Sequence, residues 1–213
     1  MLAAFRYYGY ELVVDIYWYL WFTPRKIKLD KQGIMLYIET MEIMNSHLRY
    51  ARYLLGHKWF VFLECIKRGL FWRGVVHDTS KFLPSEWFPY ARFFYGKDST
   101  QGSRESRYQS IKGAQGYFQR AWQKHLMRNS HHWQNWVNIQ DVGIQVVMEM
   151  PRQLAIEMVC DWIGAGRAQG YYSKKHPLHE VKKWYKKNMS KIILHPNTRA
   201  YIEEEVLGDA NDR

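Results

Sequence analysis

The chain has 213 residues, enough for one substantial hydrophobic core and nothing that forces a second. Its aromatic fraction of 17% excludes a disordered tail and points to a packed interior with aromatic-lined pockets. The net charge of +11 favours anionic partners, a phosphate-containing, nucleotide-like small molecule ahead of nucleic acid, although charge alone identifies none.

Residues 1–35 read as a helical appendage, because Leu12, Val13, Ile16, Tyr17, Leu20 and Trp21 recur at helical spacing until Pro24-Arg25-Lys26 breaks the pattern. Glu11 and Asp15 interrupt its apolar run, which is shorter than the ~20 residues needed to span a bilayer. No small-residue cleavage site follows a basic start, so the expectation is a cytoplasmic protein without a transmembrane segment. The appendage could lie on its own domain, pair two subunits of a homo-oligomer, or touch a membrane.

The main domain is expected over residues 36–195, followed by a short helix and polar tail over 196–213. From Gly33 to Arg68 the apolar spacing predicts one or two helices with Gly56 as a break, placing His47 mid-helix. A second helix fed by Gly69–Gly74 ends near His77-Asp78. Ser85-Glu86-Trp87-Phe88 resembles a helix start that Pro89 cuts to one turn or delays. The aromatics Trp87, Phe88, Tyr90, Phe93, Phe94 and Tyr95 suit a core better than a base-stacking platform, and residues 96–116 read as a flexible insertion. Phe118, Ala121, Trp122, His125, Leu126 and Asn129 share a helical stripe ending by His132.

Met150-Pro151 opens a further helix carrying Glu157 and Asp161, and Gly164-Ala165-Gly166 lets another backbone or a ligand approach closely. The lysines 182, 183, 186, 187 and 191 form a solvated basic face, and Asn197 is read as the cap of a last helix. Cys65 and Cys160 lack metal or redox spacing and read as two reduced, buried thiols.

Among these elements the order His47, His77-Asp78, His125, His131-His132, Asp161 stands out. Imidazole and carboxylate without thiolate suit Mn, Fe, Zn, Co or Ni. His47, His77, Asp78 and Asp161 could supply one ion, and His125 with His132 or His131 a second, bridged through Asp78. We take His132 as the ligand, leaving His131 to bind substrate or back a ligand. Lys81 could offset charge developing on phosphoryl oxygens, while Glu157 is either a ligand-orienting group, a general base or merely solvated. Arg128, Asn129, His131 and Arg167 are candidates for holding substrate.

Three stretches carry a family resemblance: His77-Asp78-Thr79-Ser80-Lys81-Phe82, Ala121-Trp122 through His125 and Arg128-Asn129 to His131-His132-Trp133, and Met150-Pro151 ahead of Asp161-Trp162-Ile163-Gly164-Ala165-Gly166-Arg167-Ala168. Over roughly residues 36 to 195 the chain resembles the HD-domain superfamily of metal-dependent hydrolases, and more closely an uncharacterised HD-like family common in phages and bacteria. The resemblance implies an all-α, HD-like helical bundle with the metal sets given above. Lys124 and Met127 stand where relatives carry further histidines, which leaves the metal preference open.

The expectation is therefore a metal-dependent phosphohydrolase acting on a nucleotide-like phosphate ester or anhydride through metal-activated water, with Asp78, Lys81 and Glu157 as catalytic candidates. The competing readings are a di-iron oxygenase on the same six ligands and a non-catalytic, metal-stabilised module that binds a nucleotide or protein.

Overall fold

A computed structural model describes residues 31–97, 114–172 and 177–208, so most of the expected helix within residues 1–35, residues 98–113 of the 96–116 insertion and the end of the polar tail lie outside the described residues, while Ala114–Gly116 already belong to a helix. The described chain is all-α apart from one hairpin. Helix α1 spans Lys31–Lys67, α2 Phe71–Val76, α3 Pro84–Tyr95, α4 Ala114–Arg128, α5 Arg152–Ala168, α6 Pro177–Asn188 and α7 Pro196–Tyr201. Strands β1, Val137–Ile139, and β2, Gln145–Val147, pair antiparallel with Val137 opposite Val147.

The chain divides into two compact units, Met1–Asn45 and Ser46–Arg213, later than the boundary expected at residue 35. In the second unit Tyr50, Leu54, His57, Val61 and Cys65 form the buried stripe of α1, spaced by three and four residues. Gly56 does not break the helix. A mid-helix glycine costs only about 1 kcal/mol, which burial of that stripe offsets. Pro89 likewise stays inside α3, because the helix already starts at Pro84 and Pro89 forfeits one early backbone bond while Tyr90, Ala91 and Phe93 are buried.

Two clusters make most of the core. Tyr50, Leu54, Tyr90, Ala91, Phe93, Phe118 and Ala121 join α1, α3 and α4, so most of this aromatic run is packing, with Trp87, Phe94 and Tyr95 partly buried against it and Phe88 exposed. Leu154, Ala155, Met158, Val159 and Ile163 of α5 meet Val181, Tyr185, Ile192, Ile202 and Leu207 from the C-terminal segments. The last helix is capped by His195, whose Nδ1 accepts from the Asn197 amide, and not by Asn197, whose side chain donates to Glu149 instead. Cys65 and Cys160 are free and buried side by side with Val61.

No described helix is long and apolar enough to cross a membrane. The close approach expected at Gly164-Ala165-Gly166 is filled by protein: a Cβ on Gly164 would lie 2.3 Å from Val61 Cγ2 and 3.0 Å from the Val61 backbone nitrogen, and one on Gly166 would strike the Tyr172 ring. Val61 and Gly164 thus hold α1 against α5. Gly164→Ala is expected to destabilise the fold by about 1–3 kcal/mol in chemical denaturation, because neither backbone can yield freely.

Candidate metal centre

The His77-Asp78 turn follows from local sequence. Helix α2 ends at Val76, the His77 amide still donates to the Arg73 carbonyl, and Asp78 takes a left-handed conformation at φ 53° before the 3₁₀ turn Thr79–Phe82. Aspartate tolerates that region better than most residues, yet Asp78 is the one non-glycine residue with positive φ among the described residues. The turn faces α1 and α5. His57 from α1 and Asp161 from α5 complete a four-residue group with His77 and Asp78, whose ligand atoms all lie within 4.8 Å of one another.

The spacing within this group is regular. His57 Nε2 lies 3.3 Å from His77 Nε2, 3.4 Å from Asp78 Oδ2 and 3.2 Å from Asp161 Oδ1. His77 Nε2 is 3.4 Å from each of the same two oxygens. Four atoms at tetrahedral corners with edges this long leave a centre about 2.0 Å from each, the Zn–N and Zn–O distance.

Asp78 faces a second group with its other oxygen. Oδ1 is 3.3 Å from His125 Nε2, whose partner His132 Nε2 is 2.9 Å away, and Asp78, His125 and His132 form a second set of potential ligands. Asp78 Oδ1 and His131 Nε2 are buried without hydrogen-bond partners. Buried polar atoms rarely stay unpaired, and donors and acceptors this crowded are what a cation between them would relieve. These buried His and Asp groups could hold a metal ion, and on both counts they fit one.

The imidazoles are oriented from behind. Glu157 Oε1 faces His77 Nδ1 at 3.1 Å and His131 Nδ1 at 3.3 Å, while Arg73 donates to Oε2 at 3.0 Å. Glu86 Oε2 faces His125 Nδ1 at 2.9 Å and accepts from Ser80, while Arg128 donates to Oε1 at 2.5 Å. Each carboxylate fixes a ring so that Nε2 points inward, the arrangement that tunes metal-binding histidines. Burial alone would raise the Glu157 carboxyl, but hydrogen bonds from His131 and His77 outweigh it and bring it down to about 2. So ionised a group is a poor proton acceptor near neutral pH. Glu157 is also buried, which sets aside the solvated reading.

Lys81 donates to Asp78 Oδ2 at 2.5 Å. Burial opposes its charge, but the Asp78 carboxylate prevails and raises the ammonium well above its usual range, so it stays cationic. Asp78 is held well below the usual carboxylate range: burial works against ionisation, and His77, Lys81 and His125 more than compensate. His125 and His132 are both pushed down by burial, which keeps their nitrogens available as ligands.

Several expected site residues lie elsewhere. His47 is outside both groups: Trp87 Nε1 donates to its Nδ1 at 3.0 Å and Phe88 packs edge-on against it. His57 occupies the position expected for His47. Arg167 is held by Glu64 at 3.1 Å and lies 4.2 Å from the Phe60 ring centre, away from the cluster. Asn129 donates to Ser80 Oγ and the His125 carbonyl, pinning the end of α4. Glu86 and Arg73 were not anticipated, since each reads in sequence as an ordinary polar residue of a helix start or surface.

A cavity of about 570 Å³ opens beside the cluster, lined by Arg73, His77, Ser80, Arg128, His131 and Glu157 among others. His57→Ala is expected to weaken Zn²⁺ or Mn²⁺ uptake by at least about 100-fold in a chelator-competition titration, with His47→Ala unchanged. A pH dependence follows from His77. Burial lowers it, but Asp78, Asp161 and Glu157 together raise it to about 10 in the metal-free protein. An ion requires the neutral ring, so it displaces that proton at every pH below 10. Affinity should therefore rise about tenfold per pH unit between pH 6 and 8, with proton release measurable in buffers of different ionisation enthalpy.

A family model described as a family of unknown function, DUF5662, matches residues 46–207. No curated protein and no solved structure matches the chain.

Proposed function

Because the chain belongs to the DUF5662 family, whose function is unknown, we propose one from the site itself: metal-dependent hydrolysis of a phosphate ester or anhydride in a nucleotide-like molecule, as in the HD-domain superfamily that the sequence resembles. The observation that carries this reading is the pair of ligand groups sharing Asp78, one on each carboxylate oxygen. Divalent ions bound in such a pair supply Lewis acidity, lowering the pKa of water and offsetting charge on phosphoryl oxygens.

The chain's own residues do the rest. Glu157 and Glu86 hold the imidazoles in one tautomer and orientation, so the reacting centre is preorganised. Lys81 fixes Asp78 and, as a permanent cation, acts through charge and not as a proton shuttle. His131 lines the cavity with its Nδ1 on Glu157, and its Nε2, buried 3.6 Å from Asp78 Oδ1 with no hydrogen-bond partner, stands as a further nitrogen for an ion in the cluster.

Metal-loaded protein is expected to turn over at least one member of a panel of phosphomonoesters, nucleotides and cyclic dinucleotides. Asp78→Ala should lose at least about 10³-fold in kcat/KM, because both ligand groups lose their shared oxygen donor. A metal-loaded protein that leaves the whole panel untouched, or that purifies aerobically with iron and a charge-transfer band, would sink the reading.

A further inference from the structure

The cavity beside the cluster is flanked by two arginines from different helices, Arg73 on α2 and Arg128 at the end of α4, with side chains 35% and 38% exposed. Each is anchored through part of its guanidinium. Arg73 Nη1 donates to Glu157 Oε2 and its Nε reaches Gln153 Oε1 at 3.5 Å. Arg128 Nη1 donates to Glu86 Oε1 and, at 3.2 Å, to Ser85 Oγ. Among the described residues neither Nη2 has a hydrogen-bond partner. A guanidinium carries five N–H donors in a rigid fork, so donors remain on both after anchoring.

The rest of the lining points the same way. Thr79, Ser80 and Ser130 bring hydroxyls, and Glu157 is the lone carboxylate among the described lining residues. Both its oxygens are already engaged, Oε1 by His77 and His131 and Oε2 by Arg73. An incoming anion therefore meets donors and no open carboxylate. Val76 and Leu83 are the aliphatic lining, and no Phe, Tyr or Trp is among the described lining residues, so the cavity offers no aromatic ring on which a base would stack. His77 and His131 line it too, which puts an anion held there beside the candidate ligands.

We infer that Arg73 and Arg128 form an anion subsite that grips the phosphate of a compact phosphomonoester, recognised through that phosphate and not through a stacked base. This rests on the hydrolase reading and narrows it: sugar phosphates and nucleoside monophosphates bind comparably. The two arginines have a double task, since each also steadies the glutamate that orients a histidine.

The test is calorimetric titration of inorganic phosphate into the full chain after chelation of metal, for wild type, Arg73→Gln, Arg128→Gln and the double variant. Each single change is expected to weaken phosphate binding roughly tenfold, the loss of one charge-assisted contact, and the double variant to abolish it. Arg→Lys variants, which keep the charge but not the fork, should lose several-fold and serve where a Gln variant fails to fold. Metal affinity, measured separately, should change far less than phosphate affinity. The inference is overturned if wild type binds no phosphate without metal, if the variants bind it as wild type does, or if phosphate and metal affinity fall together, which would make the arginines supports of Glu157 and Glu86 only. A preference above tenfold for a nucleoside monophosphate over a sugar phosphate would also overturn it. Absence of turnover with bound metal would count against the hydrolase reading and leave the phosphate titration standing.

Discussion

Everything in this structure turns on the carboxylate of Asp78, a fully buried anion whose two oxygens face different histidine groups. An unpaired carboxylate inside a protein costs several kcal/mol or more. Here the cost is met by Lys81 on one side and by imidazoles on both. The left-handed backbone at Asp78 belongs to the same arrangement, because a departure from favoured φ persists only where the surroundings enforce it. The adjoining 3₁₀ turn brings Lys81 back over Asp78, with the Lys81 amide donating to the Asp78 carbonyl at 3.0 Å.

Helix packing sets the other half of the first group. Val61 lies one turn beyond His57 on α1, and Gly164 one turn beyond Asp161 on α5. The contact between Val61 and Gly164 lets the two helices approach closely enough for His57 Nε2 and Asp161 Oδ1 to come within 3.2 Å. A side chain at position 164 would act on the fold and on the ligand group together. The buried glycine thus constrains the spacing of the ligand group through packing.

Around the ligands runs a second layer built twice on one plan. Arg73 holds Glu157, which holds His77 and His131; Arg128 holds Glu86, which holds His125. In each case charge runs from a half-exposed guanidinium at the cavity to a buried carboxylate and then to an imidazole. Cooperative networks of this kind strengthen in a low dielectric and leave each ring little freedom to turn. The same arginines also line the cavity, so each guanidinium meets a buried carboxylate on one side and open space on the other.

Much of this was legible in the residues themselves. The helical periodicities, the His77-Asp78 turn, His125, His132 and Asp161 all follow from short-range spacing, and hydrophobic stripes locate the core faces of α1, α4 and α5. The choice between His47 and His57 was not legible: both fall on the same three-and-four spacing with Tyr50, Leu54 and Val61 along α1, although only His57 is buried there and His47 is half-buried. Ten residues of helix separate them by about 15 Å along the axis, and only the height at which α5 and the His77-Asp78 turn meet α1 selects His57. Glu86, Glu157, Arg73 and Arg128 raise the same difficulty in charge. Sequence alone determined which side chains could bind a cation and on which faces they stand; tertiary packing decided which of them meet, because a glutamate or arginine becomes a buried support or a solvated charge according to what packs over it.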